Sequence, residues 1–165
     1  MRLAIIDVET TGLHQEARLL EIAVLLYETE SKEVEVGTGF FVNGVQDLKK
    51  VTLPAGLESV FHRVFWQDER TSWWQPEALE MHQKNGLLEE CRRSNLLPDE
   101  VDLFLSAWLP EKVIPCGRNV HFDVDVMRRH LPLSAGRLHY RHLDLTTLDL
   151  ASPLGKAPRP RPTGP

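Results

Sequence analysis

Several things are scarce in this chain of 165 residues, and each scarcity removes a class of protein. It has no apolar run near the ~20 residues a membrane helix needs. Met1-Arg2 runs directly into an apolar stretch, so no signal peptide is expected. It has two cysteines, Cys91 and Cys116. Two isolated cysteines make neither a disulfide framework nor a zinc site, and they fit reduced thiols in a cytoplasmic protein. Positive charge is also short: the net charge is −5. A protein that grips a duplex through its own field should be basic. Either this chain does not bind nucleic acid, or it holds only a few nucleotides and lets cations counter the phosphates. No internal repeat is visible.

What is present suits one ordinary globular domain, with 42% hydrophobic and 26% charged residues. The informative stretch lies at the start. Leu3 to Val8 is short, apolar and rich in branched residues, which predicts a buried strand. Residues two apart on a strand share a face, so Asp7 and Glu9 project together from its end. Two adjacent carboxylates resist joint ionisation. A divalent cation relieves that conflict, and such oxygen ligands suit Mg²⁺ or Mn²⁺. Two solvated acids at a strand end would look the same in isolation.

Further along, Leu19 to Tyr27 is apolar enough for a strand or a buried helix. Glu33 to Val42 alternates and predicts a half-exposed third strand. Asn43 to Thr71 predicts a loop with short helical pieces. Pro76 and Pro98 each sit where a helix begins, and Asn85-Gly86 marks a break. Val113 to Gly117 predicts a short strand, Phe122 to Leu131 a helix closed by Pro132, and Leu138 to Leu145 a last strand. Residues 1–150 make one domain. Residues 151–165 are proline-rich and predict a disordered tail.

Asp7-Val8-Glu9-Thr10-Thr11-Gly12-Leu13 resembles the first motif of the DEDD family of 3′→5′ exonucleases. Cys116-Gly117-Arg118-Asn119-Val120-His121-Phe122-Asp123 resembles the second, and Leu79 to Leu87 resembles the helix between them in oligoribonucleases and phage exonucleases. The resemblance implies an α/β, ribonuclease-H-like mixed sheet, with three antiparallel strands followed by parallel ones and helices on its flanks. It implies that Asp7, Glu9 and Asp123 are catalytic and hold a two-metal Mg²⁺ or Mn²⁺ site. Thr10, Thr11, Gly12, Leu13, His82, Asn85 and Asn119 would bind substrate, the 3′ end of a single strand or short oligonucleotide. Homodimer pairing is also implied.

The third motif of the family has no counterpart, so the final helical segment is expected to be missing or shortened. His139 to Asp144 spells His-x-x-x-x-Asp, but residues five apart on a strand face opposite sides. They are not expected to converge. Of the tryptophans, Trp108 is expected in the core, while Trp66, Trp73 and Trp74 could stack on bases.

Overall fold

The computed structural model describes residues 1–42, 45–53, 55–70 and 73–151. Its frame is a five-stranded sheet built around β1 (Arg2–Thr10). β2 (Leu19–Glu28) lies antiparallel to β1, and β5 (Gly56–Val64) lies antiparallel to β2. On the other side of β1, β6 (Ile114–Gly117) and β7 (Leu143–Asp144) run parallel to it. The order β5-β2-β1-β6-β7 is the mixed sheet the motifs imply.

Alternation along β1 separates structure from chemistry. Ala4, Ile6 and Val8 are buried and join the core, while Asp7 and Glu9 point to the other face. The core closes over the even-numbered face with Val101 and Leu105 of α3 (Pro98–Trp108) and Val126 and Met127 of α4 (Val120–His130). Each fully buried aliphatic side chain of this kind contributes about 1.5–3 kcal/mol. A smaller cluster of Leu20, Trp74, Leu87, Leu88 and Cys91 seats α1 (Pro76–Asn85) and α2 (Leu87–Arg93) behind the end of β1. Gly86, at φ 88°, makes the joint between these two helices. Among the described residues no helix is long and apolar enough to cross a membrane.

The third strand of the sheet is not the one the alternation pointed to. Lys32–Val42 is extended, but as β3 it pairs with β4 (Val45–Leu53) in a separate two-stranded hairpin. The place beside β2 belongs to β5, which falls in the stretch expected to be loop. The reason is exposure: β5 is an edge strand whose only buried residue is Phe61. Its sequence therefore carries almost no period-two signal. The stretch read as a last strand from Leu138 shrinks to Leu143–Asp144, followed by α6 (Leu145–Ala151). Pro132 closes α4, as expected, and also opens a four-residue helix, α5 (Pro132–Ala135). Residues 152–165, most of the expected tail, lie outside the described residues.

Two long-range contacts set the elements on either side of α4, β6 and α5. Gly117 lets β6 approach β1, since a Cβ there would sit 2.8 Å from the carbonyl oxygen of Ile6. Buried Asp102 of α3 accepts hydrogen bonds from the N–H groups of Leu133 and Ser134, each 2.8 Å, and from the Ser134 hydroxyl. It thereby supplies acceptors to the free N–H groups that open α5.

Candidate active site

The C-terminal end of β1 is irregular. Glu9 pairs with Glu21 and Thr10 with Leu19, so Leu20 is an extra residue on β2. Its carbonyl is not wasted, accepting a 2.8 Å bond from the Phe65 N–H. Beyond the bulge the chain turns tightly. The Thr10 hydroxyl donates to the Gly12 carbonyl at 2.6 Å, and Thr11 ties both its N–H and its Oγ1 to the backbone of Arg18.

Asp123 reaches this end from α4. Its Oδ1 accepts a 3.0 Å bond from the N–H of Val8, the residue between Asp7 and Glu9. Asp123 is buried, and burial pushes its carboxyl up to about 6; the Val8 N–H opposes that rise and the charge of Asp7 adds to it. Burial likewise raises Glu9, helped by Asp7, Glu21 and Asp123. Asp7 is raised by burial and by Glu21. The three acids thus feel one another across the join of two elements. Among the described residues, however, no group of three His, Cys, Asp or Glu side chains is drawn together as a finished metal cage.

Next to them lies a cavity of about 350 Å³, walled by Glu9, Thr10, Gly12 and Leu13 on one side and by Gln75, Met81 and Phe122 on the other. Three of the expected substrate residues, Thr10, Gly12 and Leu13, therefore meet in one hollow with Glu9. Leu13 stands 78% exposed at its rim. Thr11 is fully buried just behind.

The remaining expected residues are placed differently. His82 is wholly buried, with Nε2 3.2 Å from the Thr10 carbonyl and 3.6 Å from a Glu9 carboxylate oxygen. Burial lowers its pKa, which keeps the ring neutral, so Nε2–H is the donor to Thr10. His82 supports the wall of the cavity and does not line it. Asn85 accepts the Leu87 N–H and starts α2, away from the hollow. Asn119 adopts a left-handed conformation, φ 53°, at the start of α4, and its N–H faces Asp144 and Thr146. His139 and Asp144 have separate partners: His139 Nδ1 accepts the Arg141 N–H, and Asp144 accepts from Asn119 and Thr146.

Gln75 escaped the sequence reading. Its Oε1 accepts the Leu13 N–H at 2.8 Å, its own N–H donates to Thr11, and its side chain fills the space a Cβ on Gly12 would need. Gly12 is required for this close approach. Only the proline after Gln75 hinted at a fixed position. The tryptophans divide as well: Trp108 packs partly buried on the core, Trp74 is buried, and Trp73 is 62% exposed.

The chain resembles known proteins in sequence and in fold. The chain is 32% identical over 154 residues to an oligoribonuclease of Pasteurella multocida, covering 89% of this chain and 72% of that protein. It is 29% identical over 149 residues to the oligoribonuclease of Actinobacillus pleuropneumoniae, covering 87% and 69%. In fold it matches a product-bound exonuclease I with a TM-score of 0.54 at 16% identity. That match spans 98% of this chain but only 34% of exonuclease I. No family model matches the chain.

Proposed function

Since this chain belongs to the oligoribonuclease family of DEDD-type 3′→5′ exonucleases, we propose that it hydrolyses the terminal phosphodiester of single-stranded or short oligonucleotides with Mg²⁺ or Mn²⁺. One observation carries the reading: Asp123 is hydrogen-bonded to the backbone between Asp7 and Glu9, and all three carboxyls are raised. Raised, mutually repelling carboxylates gain most from a cation. An all-oxygen donor set fits a hard divalent ion. Asp7, Glu9 and Asp123 would hold it. When bound, the metal supplies Lewis-acid polarisation of the phosphodiester and of a water.

The rest of the work belongs to the protein. The turn from Thr10 to Leu13 forms a hollow for the terminal nucleotide, and exposed Leu13 meets the flat face of its base. Such contacts are indifferent to base identity. His82, neutral and buried, fixes the Thr10 carbonyl and stands beside Glu9. Gln75 holds the backbone of Leu13.

A second reading has its own observation. The only His-x-x-x-x-Asp spacing, His139 to Asp144, is tied to other partners, so no general base is assigned. A module that holds a 3′ end without cutting it fits that state. One assay separates the two. A 5′-labelled oligonucleotide is incubated with Mn²⁺ or EDTA, beside Asp7→Ala. A metal-dependent ladder absent from Asp7→Ala supports the exonuclease. Retention without cleavage supports the module, and neither result would end both.

A further inference from the structure

Asp123 faces β1 from the first turn of α4, and His121, two residues earlier, faces nearly the opposite way. There it meets His142, the residue before β7. The two Nδ1 atoms are 3.2 Å apart. The ring centroids are 4.8 Å apart with the planes at 50°, too close for nitrogens meeting head-on. His142 Nε2 is buried without a hydrogen-bond partner. The proposed reaction uses neither histidine.

A hydrogen bond between two imidazoles needs an N–H on one and a bare nitrogen on the other. Two bare nitrogens at this distance repel unless a cation lies between them. A tetrahedral ion with metal–nitrogen bonds of 2.0–2.1 Å spaces its nitrogen ligands about 3.3 Å apart, close to the separation found. Imidazole suits Zn²⁺, Ni²⁺ and Cu²⁺, whereas Mg²⁺ and Mn²⁺ prefer oxygen. The pair therefore differs in chemistry from the three acids. His121 is exposed, which leaves an approach from solvent. Asp125, one turn after His121, already pairs with Arg128 at 2.7 Å and is not counted as a ligand. Among the described residues no third His, Cys, Asp or Glu completes the set, so water fills the remaining positions.

We propose that His121 and His142 form a two-imidazole site for a divalent ion of the zinc and copper type, separate from the carboxylates, which clamps β7 to α4. The place suits a clamp. β7 pairs with β6 through Leu143 and Asp144 alone. Its other ties to the start of α4 run from the Asn119 N–H to Asp144 and Thr146, at 3.3 and 3.2 Å. A bridging ion would join the two elements more firmly than these. Because the two histidines are 21 residues apart and meet only in the folded chain, an ion held by both favours the folded state. The proposal stands whether or not Asp7, Glu9 and Asp123 hold Mn²⁺.

The test is a Cu²⁺ titration of the full chain in excess Mg²⁺, followed by electron paramagnetic resonance. The tightest equivalent should show hyperfine coupling to two imidazole nitrogens. His121→Gln and His142→Gln should each abolish the two-nitrogen pattern and weaken that equivalent roughly tenfold or more. Asp7→Ala should leave both unchanged. In thermal melts Zn²⁺ should raise Tm for the native chain and for Asp7→Ala, and not for either histidine variant. His121 is exposed, so its variant keeps the test open if His142→Gln does not fold. A tightest equivalent with fewer than two nitrogens overturns the site. So does unchanged affinity in folded His121→Gln, or loss of the signal in Asp7→Ala, which would place the ion on the acids.

Discussion

Asp123 Oδ1 lies 3.0 Å from the backbone nitrogen of Val8, a contact across 115 residues of chain. It welds the start of α4 to the middle of the Asp7–Glu9 pair. The hydrogen bond needs only an acceptor oxygen, so it survives protonation of the carboxyl. The charge does not need to be there for the fold, and its burial works against the fold.

Stability should therefore fall as pH rises. An aspartate in the unfolded chain titrates near 3.9, whereas Asp123 in the fold titrates at about 6. Between these values the native state holds a proton that the unfolded state has lost. Its contribution is fully present below pH ~4 and is lost as pH rises through 6, by about 3 kcal/mol. Asp7 and Glu9, also raised, add in the same direction. Thermal melts in EDTA should show Tm dropping from pH 4.5 to 7.5, and Asp123→Asn should flatten that slope. Mn²⁺ should raise Tm at pH 7.5, hardly at pH 4.5, and not in Asp123→Asn. An identical slope in the variant would refute the assignment.

Gly12 and Gln75 should behave as one unit. An alanine at Gly12 would place its Cβ 2.7 Å from the Gln75 side chain, which must then release the Leu13 N–H. Gly12→Ala is expected to cost about 1 kcal/mol and to weaken oligonucleotide binding several-fold. Gln75→Ala loses the same hydrogen bond. The double variant should be little worse than either single one, as expected for residues in contact. Full additivity in a denaturation cycle would contradict this.

Asp102 should matter for stability alone. Its carboxylate receives two backbone N–H groups and a hydroxyl, all from Leu133 and Ser134. Asp102→Ala strands these donors in a buried setting, at a cost of about 3 kcal/mol. Urea titration should show the loss. Below the melting temperature, affinity for a short oligonucleotide should be unchanged, and a large affinity loss would tie α5 to the site.

Both cysteines should be silent in the native protein. Burial pushes the Cys91 thiol up to about 12, with Glu21 and Glu90 adding to the shift, and burial also raises Cys116. Each is buried. A thiol reagent at pH 8 should label neither until denaturant opens the fold, after which both react. Rapid labelling of the folded chain would rule this out.

By itself the sequence determined what depends on neighbours along the chain. Alternation in Leu3 to Val8 sends Asp7 and Glu9 to one face. Pro76, Pro98 and Asn85-Gly86 bound their helices, and the motif around Asp123 sets it on the first turn of α4. Tertiary structure decided what depends on contacts between distant segments. The strand beside β2 is Gly56–Val64 because an edge strand, mostly exposed, needs no hydrophobic pattern to pair through its backbone. His82 became an inner support and Gln75 a wall of the site because the Thr10–Leu13 turn offers them backbone groups that only folding brings near. Backbone hydrogen bonds are available to every residue type, and so they leave little mark in a sequence.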